Sequence, residues 1–427
     1  MPRSSTTSRH PIARARAALA AAILAVGSRL KRTLRTTAGS GPPFDLPLSQ
    51  MPAVPVVAYF ADSPATIYQI KQWLPVFEQV AQRQPFLIVT RKMDTTRELR
   101  DLTDLPVAFA RTIDGVLALY DQVGVKTVIY VNNGMRNFQS LIYQQALHVH
   151  VNHGESDKVS MVSNQAKSYD RVVVAGQAAI ERHRRALINF DEARLAVCGR
   201  PQLDLDVAPA LPPAPAGVRT VLYAPTWSGE NDANNYTSLD RYGVKIVRAA
   251  LAQDGVRLVY KPHPRVINGT DPACGAAHDE ILHLVETANH GGGKHLMPFD
   301  ADPLAVFKGV DLLVTDISSI GLDFLYLHPE TPIILTDRRT DRTRLVAESP
   351  IAGAVDVVDG DTVGTVADLL RDNLAKDPRS DARKAARQHY FGFERGESSA
   401  RFLDFVDECL LERDRLVGAV AAADGGS

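Results

Sequence analysis

Four short runs place side chains capable of acid–base and anion-binding chemistry where the chain leaves an apolar segment. In His148-Val-His-Val-Asn-His153-Gly154-Glu-Ser-Asp-Lys158, alternation ends at His153, and Gly154 permits a tight turn or a close approach to a ligand. An imidazole at such an end suits a general base, because its ordinary pKa of about 6.5 lies near neutrality. Lys158 offers a point charge for a phosphate. His148 and His150 alternate with buried positions and read as structural. In Lys261-Pro-His263-Pro264, two prolines hold the backbone extended and present Lys261 and His263 at a sheet edge, a setting for an anion or simply a chain stop. Asp311-Leu-Leu-Val-Thr315-Asp316-Ile-Ser318-Ser319 runs from an apolar strand into a helix. Its two hydroxyls and free N–H groups make an anion site, and Asp316 also suits a helix cap. Gly396-Glu-Ser398-Ser399-Ala-Arg401 repeats the pattern of paired serines at a helix start. Together the two starts, with Lys261 and Arg401, could enclose a diphosphate.

Alternating strands and helices must position these runs. Strand candidates are Val54–Phe60, Phe86–Thr90, Val107–Ala110, Thr127–Val131, His148–Asn152, Arg171–Ala175 and Leu195–Cys198, with a helix over Ile67–Val80. Val207–Gly217 carries four prolines and reads as a linker. Beyond it come strands Thr220–Ala224, Arg257–Tyr260, Leu312–Thr315 and Pro332–Leu335, and helices Leu239–Ala252, Asp300–Lys308, Ser318–Tyr326 and Val363–Ala375. A last helix runs from Glu397 to about Leu416. Short β-branched runs separated by helices imply parallel sheets covered on both faces. The expected architecture is α/β and GT-B-like, with two Rossmann-like parallel-sheet domains facing a cleft. Its parts are residues 52–206, a linker over 207–217, residues 218–395 and a C-terminal helix over 396–418. Ligands in such folds bind outside the C-terminal strand ends.

The 427 residues include 48 Lys+Arg and 49 Asp+Glu, and 45% are hydrophobic. That composition excludes collagen-like, wholly disordered and polytopic membrane classes, and it speaks against a nucleic-acid binder. Three well-separated cysteines, Cys198, Cys274 and Cys409, argue against a disulfide framework or a cysteine zinc site and suit a reducing cytoplasm. No metal-ligand cluster, GxGxxG, Walker loop or HExxH is present, and His278, His283, His290 and His295 read as part of a Gly-rich loop. No cofactor is implied. Residues 1–40 carry eight basic side chains and no acid. Ile12, Leu19, Ile23, Val26, Leu30 and Leu34 fall on one helical stripe, the pattern of a basic helix lying on an anionic membrane surface. A disordered basic tail and a cleaved signal peptide are the competing readings.

In order, His153-Gly154…Lys158, Gly199-Arg-Pro201…Asp204, Tyr223-Ala-Pro225-Thr226-Trp227, Lys261-Pro-His263-Pro264, Thr315-Asp316…Ser318-Ser319 with Asp323-Phe324, and Tyr390-Phe391-Gly392…Gly396…Ser399…Arg401 resemble the CDP-glycerol glycerophosphotransferase family of teichoic acid synthesis. The resemblance runs from about Val54 to the last helix. It departs from the family pattern at Asn152, where a Trp is usual, at Glu155-Ser156 for Thr-Pro, at Ser228 for Arg and at Arg395 for Asp.

The resemblance implies a peripheral enzyme on the cytoplasmic face of the cell membrane. It would move glycerol phosphate from CDP-glycerol to a hydroxyl of a lipid-linked acceptor and release CMP. His153 matches the base and His263 the second essential histidine; Ser318, Ser319, Ser399 and Arg401 match pyrophosphate-binding positions. Gly154, Lys158, Thr226, Lys261, Thr315, Asp316 and Ser398 complete the candidate substrate-binding set. The competing functions are a sugar transferase or UDP-sugar epimerase on the same scaffold, and a membrane-associated scaffold whose catalytic motifs have drifted.

Overall fold

The computed structural model describes residues 53–269 and 271–424. The expectation for residues 1–40 lies outside them. Among the described residues no helix is long and apolar enough to cross a membrane.

Seven parallel strands form the first sheet: β1 (Val56–Phe60), β2 (Phe86–Thr90), β3 (Val107–Phe109), β4 (Thr127–Tyr130), β5 (Leu147–His150), β6 (Arg171–Val174) and β7 (Leu195–Val197), in the order β3-β2-β1-β4-β5-β6-β7. The second sheet holds β8 (Arg219–Ala224), β9 (Val256–Tyr260), β10 (Leu312–Thr315), β11 (Ile333–Thr336) and β12 (Asp356–Val358), ordered β12-β11-β10-β8-β9 and again parallel. Strands such as Phe86–Thr90 are buried on both faces, which is why they read as unbroken apolar runs. Strand order reverses between β1 and β4 and between β8 and β10, and these switch points open the crevices where ligands of doubly wound sheets sit. The runs that could do chemistry leave β5, β8, β9 and β10.

The longer helices are α1 (Leu74–Arg83), α2 (Met93–Leu102), α3 (Ile113–Val123), α4 (Gln177–Ala186), α5 (Val244–Leu251), α6 (Pro272–His290), α7 (Ser319–Leu327), α8 (Val366–Ala375), α9 (Ser380–Phe391) and α10 (Glu397–Asp424). Several differ from the sequence expectation. The helix expected over Ile67–Val80 breaks into a short helix Tyr68–Lys71 and α1, because Pro75 lacks the N–H an unbroken helix needs. Leu239–Ala252 opens with a π-helical turn before α5. His278, His283 and His290 lie on α6, not in a loop. Asp271 accepts from the amides of Ala273 and Cys274 at 3.0 and 3.2 Å, Pro272 starts the helix, and Cys274, Ala277, Ile281 and Val285 bury one stripe.

The two halves are joined by more than the linker. Helix α10 returns to the first domain, where Phe402, Phe405, Val406, Cys409 and Leu410 share a core with Val56, Trp73 and Ile129. Each such burial contributes about 1.5–3 kcal/mol. Ala175, Ala178 and Leu203 of the first domain pack with Leu222, Leu313, Tyr390 and Phe391 in a core that crosses the interface.

Candidate active site

Strand β5 ends at His150, three residues before His153, and the connection is held by its own hydrogen bonds. Trp73 Nε1 donates to the Asn152 carbonyl at 2.6 Å. Asn152 takes a left-handed φ of 55°, which asparagine tolerates, and its Oδ1 accepts the His153 N–H at 2.8 Å. Gly154 follows because nothing larger fits comfortably. A Cβ there would stand 3.1 Å from Ser319 Cβ and 3.7 Å from Arg200 Nη1. The His153 loop therefore touches the start of α7 across the domain boundary.

A second histidine comes from the other sheet. His263 leaves β9 in an extended conformation at the head of the Pro264–Ile267 turn, and its Nδ1 accepts the Arg265 N–H at 3.1 Å. With Nδ1 an acceptor, the neutral ring carries its proton on Nε2 and can donate to an oxygen. The Tyr68 ring lies edge-on to both histidines, 5.9 Å from His153 and 6.0 Å from His263. Burial lowers the His153 pKa to about 4, with Arg200, Arg265 and Lys158 adding repulsion while the Val131 carbonyl opposes it. Burial likewise lowers His263 to about 3, aided by Lys158 and Arg265. Both rings are neutral at pH 7, so His263 offers an N–H donor and no positive charge.

Lys158 crosses the cleft. Its Nζ donates to Thr226 Oγ1 at 2.8 Å, and burial lowers its pKa to about 8 against the pull of Asp316. Asp316 is not a cap for α7. Its buried carboxylate accepts the Thr226 amide at 2.6 Å, the Ser238 amide at 3.1 Å and the Thr336 hydroxyl, tying β8, β10 and β11 at the switch point. Burial raises its pKa, and these bonds oppose the rise. Thr315 Oγ1 donates to the Ala224 carbonyl at 2.8 Å and lies 3.5 Å from Ser318 Oγ. Ser318 is the N-cap residue of α7, but its hydroxyl makes no capping bond. The α7 start thus meets Gly154 without a side-chain cap from Ser318.

The other candidates sit differently. Lys261 Nζ donates to the Phe299 carbonyl at 2.6 Å, with Asp300 and Asp302 nearby, and braces the segment after α6. The start of α10 already holds an anion: Asp204 accepts from the amides of Gly396 and Ser399 at 2.8 and 2.6 Å. Ser399 Oγ donates to the Pro201 carbonyl, and Arg401 pairs through two nitrogens with Glu408 at 2.9 and 3.1 Å. Ser398 packs on Gly199, whose φ of +68° suits glycine and where a Cβ would lie 2.0 Å from the Ser398 hydroxyl. Ser318, Ser319, Lys158, Thr226, Asp316 and the two histidines therefore gather in one cleft. No contact among the described residues brings Ser398, Ser399 or Arg401 to the histidines.

Three side chains outside the expected set complete the geometry. Tyr68 bridges the histidines. Arg200 pairs with Asp323 at 3.1 Å across the domains, and Asp323, pushed up to about 6 by burial, is held down by that arginine. Arg265 stacks on Trp227, 4.3 Å from the ring centroid. Arg200 and Asp323 were visible within motifs, but only the tertiary fold shows that they pair.

A model of the family described as CDP-glycerol:poly(glycerophosphate) glycerophosphotransferase matches residues 119–408, more than half of the chain. The chain belongs to this family. Family membership makes it a CDP-glycerol glycerophosphotransferase-type enzyme, and the GT-B arrangement is shared with solved structures. A variant of the wall teichoic acid polymerase TagF superposes with a TM-score of 0.54 at 14% identity, covering 86% of this chain and 90% of that chain. A protein described as a UDP-N-acetylglucosamine 2-epimerase from Listeria monocytogenes gives 0.58 at 15% identity, with 84% and 97% covered. A glycosyltransferase from Rickettsia africae ESF-5 gives 0.54 at 11%, with 84% and 98% covered. At these identities the structures establish the fold alone. Comparison with curated proteins gives no match.

Proposed function

We propose that this glycerophosphotransferase moves glycerol phosphate from CDP-glycerol to a hydroxyl of a lipid-linked polymer acceptor and releases CMP. The observation that carries the reading is the meeting of His153 and His263 at Tyr68, beside the Lys158–Thr226 bridge at the switch point of the second sheet. The donor's diphosphate lies against the α7 start at Ser318 and Ser319, where amide donors and the helix dipole favour negative charge. Lys158 adds a cation from the opposite domain.

The acceptor oxygen attacks the glycerol-bearing phosphorus while His153 takes its proton. The bond from that phosphorus to the bridging oxygen breaks, and CMP departs with the electron pair. His263 donates from Nε2 to an oxygen that gains charge, and Lys158 opposes the same charge. Burial and three cations suppress the basicity of His153 in the free protein. Arrival of the dianionic diphosphate offsets that repulsion and raises it.

A panel of radiolabelled CDP-glycerol, CDP-ribitol and UDP-sugars tests the donor. CDP-glycerol turnover with one CMP per transfer is expected, and turnover of UDP-sugars alone would overturn the reading. The eight basic side chains and the apolar stripe read in residues 1–40 support a peripheral location on the cytoplasmic face of the membrane. Deleting these residues should abolish sedimentation with anionic vesicles; undiminished sedimentation would refute that location.

A further inference from the structure

Next to Tyr68 the two domains line an open cleft of about 700 Å³, to which no residue of the α7 start contributes. Thr66 and Tyr68 line it from the first domain, and Trp227, Arg265, Asn268 and Asp271 from the second. Arg265, with its side chain 34% exposed, differs from the more buried arginines near the domain boundary. Arg182, Arg200 and Arg338 are tied to carboxylates at 2.6–3.1 Å. The Arg265 guanidinium has only a 3.8 Å approach from Glu230, which is itself 73% exposed. Its plane is held by the stack on Trp227, so orienting it for a ligand costs little entropy. The Asp271 carboxylate, on the same wall, is occupied by the first amides of α6.

We propose that this cleft is the acceptor subsite and that Arg265 recognises a phosphodiester of the acceptor chain, making it a specificity-determining residue. The inference rests on the transferase reading above. The placement follows from the separate linings: the α7 start, suited to the donor's diphosphate, touches Gly154, whereas this cleft adjoins Tyr68 and the His263 turn. An acceptor seated here lies beside Tyr68, whose ring is 5.9 Å from His153, and does not occupy the α7 start that suits the donor. A guanidinium matches two phosphodiester oxygens with parallel N–H donors, and Trp227 and Tyr68 offer apolar faces to the glycerol carbons. Arg265 is also near enough to both histidines to depress their basicity. A phosphodiester bound to it would therefore prime the base at the moment the acceptor is seated.

Direct binding tests this without requiring turnover. The full-length protein is titrated with glycerophosphoglycerol, a soluble phosphodiester, by calorimetry and by tryptophan fluorescence, to which Trp73 and Trp227 contribute. Arg265→Gln should weaken binding by about 10–100-fold, the usual scale for hydrogen bonds to a charged group. Arg265→Lys, which keeps the charge but loses the fork, should fall between. Arg248→Gln removes the same charge from the exposed Glu280 pair and should bind as the intact protein does. Saturation with CDP should leave the affinity unchanged. No binding by the intact protein, equal binding by Arg265→Gln, equal loss in Arg248→Gln, or competition by CDP would each overturn the assignment. Failure of CDP-glycerol turnover, with these titrations as expected, would count instead against the transferase reading.

Discussion

Replacing Asp157 with alanine removes the acceptor at the centre of a buried knot between the domains. Asp157 Oδ1 takes Arg182 Nη2 at 2.7 Å, while Oδ2 takes Ser349 Oγ at 2.8 Å and the Tyr390 hydroxyl. Its side chain is 2% exposed, so no water replaces what is lost. Breaking a buried charged pair from one side costs about 3–5 kcal/mol, and each hydroxyl left without an acceptor adds about 1 kcal/mol. Glu155 still pairs with Arg182 at 2.6 Å and offsets part of this. A net loss of about 3–5 kcal/mol is expected, a large share of the roughly 5–15 kcal/mol typical of folded domains. Asp157→Asn keeps one acceptor and should lose less. Urea unfolding reads the effect through two tryptophans, Trp73 in the first domain and Trp227 in the second. Asp157 lies between His153 and Lys158 in the chain, so transfer should slow even where the variant remains folded. A loss below about 1 kcal/mol with an unchanged rate would refute the idea that this knot sets the geometry of the cleft.

Acid should weaken the fold through its buried histidines. His150, His153 and His263 are lowered to about 3, 4 and 3, against about 6.5 in an unfolded chain. Between pH 6.5 and about 4 the unfolded chain binds protons that the native rings refuse, so stability falls as pH falls through that window and is fully present above it. Asp316 and Asp323, raised by burial, act in the opposite sense. The measurement is therefore a difference: His153→Gln should flatten the slope by about one proton, and an unaltered slope would contradict the burial argument. Ser319→Ala should weaken CDP binding by roughly 3–10-fold, as for one hydrogen bond. Arg401→Ala should leave it nearly unchanged, because Glu408 holds Arg401 and Asp204 fills the α10 start; calorimetry showing the reverse ranking would move the diphosphate to α10.

Much of this architecture is legible in the chain because its strands are buried on both faces. Phe86–Thr90 and Leu312–Thr315 coincide with the sequence expectation to the residue, and the runs at His153, Lys261 and Thr315 do follow strand ends, whereas the run at Gly396 follows helix α9. Helix α6 does not stand out in the sequence although Cys274, Ala277, Ile281 and Val285 keep helical spacing, since its glycine and histidines dilute the stripe. The break before α1 at Pro75 departs from the single helix expected over Ile67–Val80. What no local pattern could supply is pairing over distance. Asp204 reaches the α10 start from 192 residues away in sequence, Arg200 finds Asp323, and Tyr68 stands between histidines contributed by different sheets. The paired serines at 398 and 399 look like those at 318 and 319, yet only the tertiary fold shows that one helix start is already occupied.

The role of His153 is tested most directly by transfer from labelled CDP-glycerol to a soluble acceptor, with CMP release followed in parallel. The intact protein should release one CMP for each glycerol phosphate transferred. His153→Ala should lower the rate by about 10²–10⁴-fold, the usual contribution of a general base, while its affinity for CDP-glycerol stays close to that of the intact protein. Retention of full activity by a folded His153→Ala protein would contradict the account.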